Sequence, residues 1–457
     1  MANAETKVVN DDSPAGESST IAAPATSVGR AAIGIIRISG PGARKIALRL
    51  TQKPCPAPRQ MARRDLYDPR THEVIDDSLI VFFPGPHSAT GEDLLEIHHH
   101  GSRVIASRLL DILCEYSAVR MAEPGEFTRR SFLNGKLDLT AAEGLADLIE
   151  ATTIAQDRQA RRQFEGRLGV VYEGWRQTLL HALSLIEAEI DFAPEEEVPD
   201  DLFAASRVEL LRVRLAMSAH LNDQQLGQRL RDGVIVAITG APNVGKSSLI
   251  NTLAKREISI VTPHPGTTRD IVEVSLDLDG MPVTLLDTAG LRATKDDIER
   301  EGIARARARA AEADLVIDLH EAPASALDPS LPQNQHDRQL TIINKIDLAP
   351  FDRGSGMIGI SCQTGEGIDQ LIKHLAAEVR TLLPSGDAPL ITRTRHREAI
   401  RLAESALSSA LERRDVQSLD LAAEDLRIAV RAIGKLTGHI GVEEILGEIF
   451  SSFCIGK

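Results

Sequence analysis

Gly240-Ala-Pro-Asn-Val-Gly-Lys-Ser247 decides how this chain is read. Its spacing, G-x-x-x-x-G-K-[ST], is that of a phosphate-binding P-loop, in which glycines let backbone N–H groups wrap an anion at a helix N-terminus. The apolar run Val234-Ile-Val-Ala-Ile-Thr239 leads in as a buried strand, and Ser248-Leu-Ile-Asn-Thr-Leu253 follows as a helix. Lys246 is expected to reach the outer phosphates and the Ser247 hydroxyl to ligate Mg²⁺. Asn243, Val244, Gly245 and Ser248 complete the expected nucleotide-binding segment.

Three further signals follow in the order a GTP-binding domain requires. Asp287-Thr288-Ala289-Gly290 comes after the apolar run Val283-Thr-Leu-Leu286, which places Asp287 at a strand end near Mg²⁺ and the Gly290 N–H opposite a γ-phosphate. Asn344-Lys345-Ile-Asp347 follows Thr341-Ile-Ile343. A carboxylate at Asp347 can accept from N1 and N2 of guanine, a donor pair that adenine lacks. Ser361-Cys362 follows Met357-Ile-Gly-Ile360 and fits the loop whose backbone meets the guanine oxygen. Between the first and second motifs, Pro265-Gly-Thr-Thr-Arg-Asp270 reads as a switch segment, with Thr268 the expected second Mg²⁺ ligand.

Bulk properties narrow the class. The 457 residues suggest about three domains. A hydrophobic content of 42% suffices for folded cores, and a net charge of −14 argues against a protein that coats nucleic acid non-specifically. The four cysteines (55, 114, 362 and 454) lack metal-ligand spacing and read as free thiols of a reducing cytosol. No apolar run approaches the ~20 residues of a membrane span, so a cytoplasmic chain with no membrane partner is expected. Adjacent residues of His98-His-His100 point to opposite faces of a strand, which disfavours a metal site.

The domain reading is as follows. Residues 1–18 are an extension rich in Ser, Asp and Glu, expected to be disordered. Residues 19–137 alternate strand-like runs (Ala32–Ile38, Ser78–Phe83, Leu94–His98) with helical ones. Residues 138–232 are helical, interrupted by the acidic Phe192–Pro199. Residues 233–382 form the nucleotide-binding domain, and helical periodicity returns over 383–457. The nucleotide-binding domain is therefore inserted in a helical body, a topology that lets switch movements reach that body.

Hydrolysis is less legible. Leu291 stands where small signalling GTPases carry a water-orienting Gln. Glu299, Asp296, Asp297 and Glu301 are the nearby carboxylates able to take over, and Arg269 and Arg292 are competing arginine-finger candidates. Asn243 reads equally as a ligand of a monovalent cation beside the phosphates or as a turn residue tolerant of left-handed geometry. The tail Phe453-Cys-Ile-Gly-Lys457 follows an amphipathic run and offers Cys454 either as a nucleophile or as a small buried hydrophobe.

These features together resemble the MnmE (TrmE) family of tRNA modification GTPases. The resemblance rests on the inserted domain, the Cys-Ile-Gly-Lys tail, and the segments Gly34–Gly40, Phe83–Pro86, Thr90–Glu96, Pro124–Phe127 and Phe132–Asp138, and it covers about 20–457. It implies a multidomain α/β and α chain: an N-terminal α+β folate-binding and dimerisation domain, a helical domain, and an inserted Ras-like P-loop GTPase domain with a mostly parallel sheet. It implies a homodimer that acts with an FAD-binding MnmG-type partner, in a heterotetramer or larger complex, on the wobble uridine of certain tRNAs. The product carries a (carboxymethyl)aminomethyl group at C5, with the one-carbon unit from 5-formyl- or 5,10-methylenetetrahydrofolate. FAD enters only through the partner.

Residue by residue, the resemblance implies folate contacts at Arg37, Glu96, Lys136 and Lys457, chemistry that suits pterin N–H donors and glutamyl carboxylates. It makes Cys454 a residue needed for modification. It implies K⁺-stimulated hydrolysis through paired GTPase domains, with K⁺ held by Asn243 and by backbone carbonyls of the loop 262–268 at Thr262, His264 and Thr267, and with catalytic water oriented by Glu299 through a second water. His264-Pro265 departs from the Ile-Ala common in the family. Two other readings were weighed: a ribosome-assembly or regulatory GTPase, which would carry an RNA-binding appendage in place of this N-terminal domain and tail, and a folate-sensing module whose GTPase serves as a timer.

Overall fold

The computed structural model describes residues 19–27, 29–116, 118–192, 202–223, 225–256, 273–287, 313–322, 338–349, 351, 357–383, 390–413, 418–440, 443–451, 453 and 456. Contacts divide the chain into two units, residues 1–142 with 441–457 and residues 143–440.

The first unit is built on a six-stranded sheet. Its strands are β1 (Thr20–Pro24), β2 (Ile33–Ser39), β3 (Ala62–Tyr67), β4 (Val74–Phe83), β5 (Leu94–His100) and β6 (Val119–Met121), in the order β3-β4-β5-β2-β1-β6. Only the β1–β6 pair is parallel. Alternation along β2 sorts its side chains between two faces. Ile36 and Ile38 join the core beneath helices α1 (Ala43–Thr51) and α2 (Arg103–Cys114), with Leu50, Leu109 and Ile112. On the opposite face, Ile21, Ala23 and Leu94 pack with Phe127 of helix α3 (Glu126–Leu133). The register aligns Ala23, Arg37 and Glu96 across three strands, so both charged residues share that second face.

The second unit holds the helical body and the nucleotide-binding domain. The helices are α4 (Leu139–Glu150, whose first turn belongs to the first unit), α5 (Ile154–Phe164), α6 (Arg167–Phe192), α7 (Leu202–Leu221) and α8 (Leu226–Asp232). The inserted sheet comprises β7 (Val234–Gly240), β8 (Glu273–Leu278), β9 (Met281–Asp287), β10 (Leu315–Glu321), β11 (Gln339–Asn344) and β12 (Ile358–Gly359), in the order β12-β11-β10-β7-β9-β8. All pairs are parallel except β8–β9. Strand β7 lies between β9 and β10, so the chain leaves its carboxyl end where connections diverge to either side, the position at which open α/β sheets bind ligands. Helices α9 (Lys246–Lys255) and α10 (Ile368–Leu382) belong to this domain.

The chain then returns to the helical body through α11 (Thr394–Glu412) and α12 (Leu419–Thr437). The stripe Tyr172, Trp175, Leu179, Ala182 and Ile186 recurs at three- and four-residue spacing along α6. It meets Leu210 and Met217 of α7, Leu407 of α11 and Ile433 of α12. Burying each of these Leu, Ile and Met side chains contributes about 1.5–3 kcal/mol, which holds one body together although its sequence is split by the insertion.

By their contacts, residues 441–457 group with the first unit. Helix α13 (Glu443–Ser451) packs on α3. Gly125 caps α3 at φ +67°, and a Cβ there would lie 2.6 Å from the Phe450 carbonyl oxygen. Gly456, at φ +95°, lies so close to Pro24 that a Cβ would meet the Pro24 carbonyl oxygen at 2.0 Å.

Candidate functional site

The phosphate loop runs from β7 into α9. Gly245 forms the N-cap at φ +102°, so α9 begins at Lys246, two residues before the apolar run that signals the helix. The first turn of α9 carries no acidic residue, which leaves its positive dipole end available to an anion. Ser247 and Ser248 are exposed there, and Asn243 is exposed with φ +65°. Lys246 is buried, and its ammonium donates to the Gly240 and Ala241 carbonyls at 2.9 Å each. The cation is thus held inside the loop that it is expected to serve.

A second loop is tied directly to the first. The buried Asn344 side chain donates from Nδ2 to the Val244 carbonyl at 2.8 Å and accepts the Cys362 N–H at Oδ1, 3.4 Å away. A Cβ on Gly245 would stand 2.3 Å from Asn344 Nδ2, so glycine is required by this approach as well as by its φ. Lys345 adopts φ +64°, and its ammonium pairs with Glu321 at 3.0 Å. Asp347 is exposed at the end of the same loop. The buried Ser361 accepts from the Thr364 N–H at 3.1 Å, closing the turn that presents Cys362. Burial pushes the Cys362 thiol above its ordinary value, against smaller opposing contributions from Thr252 and Asn344, so it stays neutral. Asn344 therefore acts as a brace between loops, a role that the motif alone does not disclose.

The sequence also assigns site residues to segments outside the described residues. Thr262, His264, Thr267, Thr268, Thr288, Ala289, Gly290, Glu299, Cys454 and Lys457 all fall there, as does the 1–18 extension. Of the alternatives weighed for hydrolysis, Arg269, Leu291, Arg292, Asp296, Asp297 and Glu301 do too. The backbone of Asp287 ends β9, as its motif predicts.

In the first unit, Arg37 and Glu96 are brought together. Arg37 donates from Nε and Nη2 to Glu96 Oε1 at 3.0 and 2.9 Å, which leaves Glu96 Oε2 for His98 at 3.5 Å and for a ligand. The Arg37 guanidinium also lies 5.9 Å from the Phe127 ring centroid. Lys136 is exposed beyond α3 and is fixed by its own N–H to the Ser131 carbonyl. The three consecutive histidines take different partners: His99 bonds the His100 carbonyl at 2.7 Å and His100 bonds Asp76 at 2.8 Å.

Sequence reasoning missed the network that backs this face. Ser39 bonds Thr90 and Glu92 at 2.7 Å each, and Arg130 donates to Glu92 at 2.9 Å and to Glu126 at 2.9 Å. Burial alone would raise the Glu126 carboxyl, but Arg120, the Glu123 N–H and Arg130 together hold it below the usual range. Glu126 and Arg130 are one helical turn apart, a spacing that marks a pair but not its long-range partner Glu92.

Family models match nearly all of this chain: the MnmE helical domain over residues 139–454, and the GTP-binding protein TrmE N-terminus over residues 20–136. The tRNA modification GTPase MnmE of Parvibaculum lavamentivorans is 49% identical over 441 residues, covering 96% of this chain and 100% of that protein. The proteins of the same name from a Methylobacterium species and from Paramagnetospirillum magneticum are 48% and 47% identical, over 96% of this chain and 99% and 100% of their own.

Proposed function

The chain belongs to the MnmE/TrmE family of tRNA modification GTPases, enzymes that hydrolyse GTP in tRNA modification, and from that premise we propose the finer activity. With an FAD-binding partner of the MnmG type, it adds a (carboxymethyl)aminomethyl group at C5 of the wobble uridine of certain tRNAs in the cytoplasm. The one-carbon unit comes from a tetrahydrofolate. Among the described residues no helix is long and apolar enough to cross a membrane.

The observation that carries the reading is the Arg37–Glu96 pair on an accessible sheet face, in a unit separate from the nucleotide loops. The pair fits the folate: one carboxylate oxygen is fixed by Arg37 and the other can accept pterin N–H donors. Lys136 and Lys457 would meet the glutamyl carboxylates, and Cys454 would act beside this face. Bound folate supplies the one-carbon unit; this chain's residues orient it.

In the nucleotide domain, Asn243, Val244, Gly245, Lys246, Ser247 and Ser248 hold phosphates, and Asn344, Lys345, Asp347, Ser361 and Cys362 select guanine. The exposed Ser247 hydroxyl at the start of α9 fits Mg²⁺, with Thr268 as a second ligand. Asn243 has the left-handed φ of a turn residue, and its exposed side chain would in addition ligate K⁺, together with the Thr262, His264 and Thr267 loop. Both cations supply positive charge beside the phosphates. Glu299 orients the attacking water in place of Leu291, and paired domains of a homodimer bring these groups together.

Loss of the modified wobble nucleoside on deletion, with rescue by this chain, tests the activity by mass spectrometry; an unchanged nucleoside would remove it. A ribosome-assembly role predicts immature ribosomal subunits with normal nucleosides. Calorimetry with 5-formyltetrahydrofolate on Glu96→Ala tests the folate site, where unchanged affinity would remove Glu96. Single-turnover hydrolysis by Glu299→Ala, and of wild type in K⁺ against Na⁺ at matched ionic strength, tests the GTPase assignments. Undiminished rates would remove them.

A further inference from the structure

The segments that enter and leave the inserted domain converge on one carboxylate of α4, and the domain also meets the helical body where the Ala155 N–H donates to the Gly280 carbonyl at 3.1 Å. Asp147 on α4 is nearly buried, and its Oδ1 accepts from Arg231 Nε at 3.0 Å and from Arg393 Nη2 at 2.7 Å. Arg231 lies in α8, just before β7 carries the chain into the nucleotide domain. Arg393 is the N-cap of α11, where the chain comes back. One oxygen atom therefore holds the entry and the exit of a domain that spans residues 233–382 in the sequence reading.

Neighbouring contacts reinforce this arrangement. Glu143 precedes Asp147 by one helical turn, so the two carboxylates share a face of α4. Fully buried, Glu143 accepts from Arg395 Nε at 2.6 Å and from His396 Nε2 at 2.8 Å. Arg393 and Arg395 crowd the N-terminal end of α11, where the helix dipole disfavours positive charge, and these carboxylates offset it. The Gln156 side chain donates to the Arg231 carbonyl at 2.8 Å, and Thr392 bonds Gln163 at 3.0 Å. A Cβ on Gly227 would lie 2.4 Å from the Ile391 carbonyl oxygen, so the entering and leaving segments run against each other. On the domain side, Arg229 pairs with Asp314 at 2.6 Å, and Asp314 accepts the Ile235 N–H of β7 at 3.0 Å. Arg229 and Arg231 thus reach in opposite senses from one short helix, the first to the nucleotide domain and the second to the helical body.

We infer that Asp147 is a positioning residue that locks both crossings of the inserted domain to the helical body, so that nucleotide-driven movement is transmitted to that body and not absorbed at the crossings. Two guanidinium groups converging on one buried carboxylate oxygen make the two crossings a single joint. Loss of the negative charge loosens both at once, although Arg393 keeps Glu143 at 3.4 Å and Arg231 keeps Gln156 on its carbonyl.

The test uses the full chain with Asp147→Asn, which keeps shape and removes charge. Hydrogen–deuterium exchange at residues 232–236 and 390–396 is expected to speed up by roughly tenfold. Affinity for a fluorescent GDP analogue and intrinsic GTP hydrolysis are expected to stay within about twofold, because no nucleotide contact is touched. The amount of modified nucleoside in tRNA from a complemented deletion strain is expected to fall while hydrolysis persists. That last arm rests on the proposed function; the exchange arm does not, so the two can fail separately. Unchanged exchange at both crossings overturns the lock, whatever happens to modification. If Asp147→Asn does not fold, the Arg231→Gln and Arg393→Gln single variants each release one crossing. Each should speed exchange at its own crossing, and no acceleration in either would equally overturn the inference.

Discussion

The Asn344 side-chain amide lies 2.8 Å from the Val244 carbonyl and joins the guanine-recognition loop to the phosphate loop without an intermediary. One buried side chain therefore fixes the two loops against each other, and at the proposed site this would set both ends of a nucleotide in register before it binds. Such pre-organisation lowers the ordering cost of binding.

Asn344→Ala strips a partner from the Val244 carbonyl and from the Cys362 N–H. We expect a loss of about 1–3 kcal/mol in domain stability together with weaker binding of guanine nucleotides. Urea unfolding and titration with a fluorescent GDP read the two effects separately. Wild-type values in both would show that the loops keep their register without the brace.

Gly125→Ala tests how the 441–457 segment docks. The substitution places a methyl group against the Phe450 carbonyl at a left-handed φ, a conformation that costs a non-glycine residue about 1–2 kcal/mol before any clash. Faster proteolysis within 443–456, with the nucleotide domain unaffected, is the expected pattern. Equal cleavage rates in the two proteins would mean that α13 is held by other contacts.

Arg130→Met leaves the buried Glu126 with Arg120 and the Glu123 N–H, and leaves Glu92 without its guanidinium partner. Breaking such a pair from one side costs about 3 kcal/mol. The melting transition of the first unit should fall while GDP affinity holds. A melting temperature within experimental error of wild type would show that solvent replaces the guanidinium without loss.

Acid should destabilise the helical body earlier than carboxylate titration alone would. Burial pushes His396 and His220 below their ordinary value of 6.5, against smaller raising contributions from Glu143 and Asp223 respectively. The unfolded chain then binds these protons more readily, so stability is full above 6.5 and falls as pH drops through it. Glu143 acts in the same direction only below its ordinary 4.5, held low by His396 and Arg395 despite burial, whereas Asp147, raised by burial, acts in the opposite sense. Thermal melts between pH 7.5 and 5.5 should show the decline, and His396→Gln should flatten it. A pH-independent melting temperature in wild type would contradict the assignment of His396 as a neutral donor to Glu143.

The nucleotide domain was legible because its strands are buried on both faces and its loops carry glycines at fixed spacing. Val234–Thr239 and Thr341–Ile343 are apolar runs with one sensible reading, and β7 and β11 follow them closely. The edge strands β3 and β6 were not legible. Ala62-Arg-Arg-Asp-Leu-Tyr67 has a mostly polar pattern that local sequence cannot distinguish from a loop, and β6 is three residues long. In the site, Arg37 and Glu96 came from family resemblance, and their pairing depends on a β2–β5 register that no local spacing encodes. Asn344 was found as a base-loop residue, but its bond to Val244 spans a hundred residues and appears only once β7 and β11 flank β10.

The close seating of Gly456 on Pro24 has a consequence for biosynthesis. Strand β1 is made early in translation, yet the segment that packs on it is translated after the helical body and nucleotide domain. Until then the nascent sheet presents the α3 surface uncovered, a state in which chaperone engagement or early cleavage competes with completion. A chain whose translation stalls after the nucleotide domain would leave that surface uncovered.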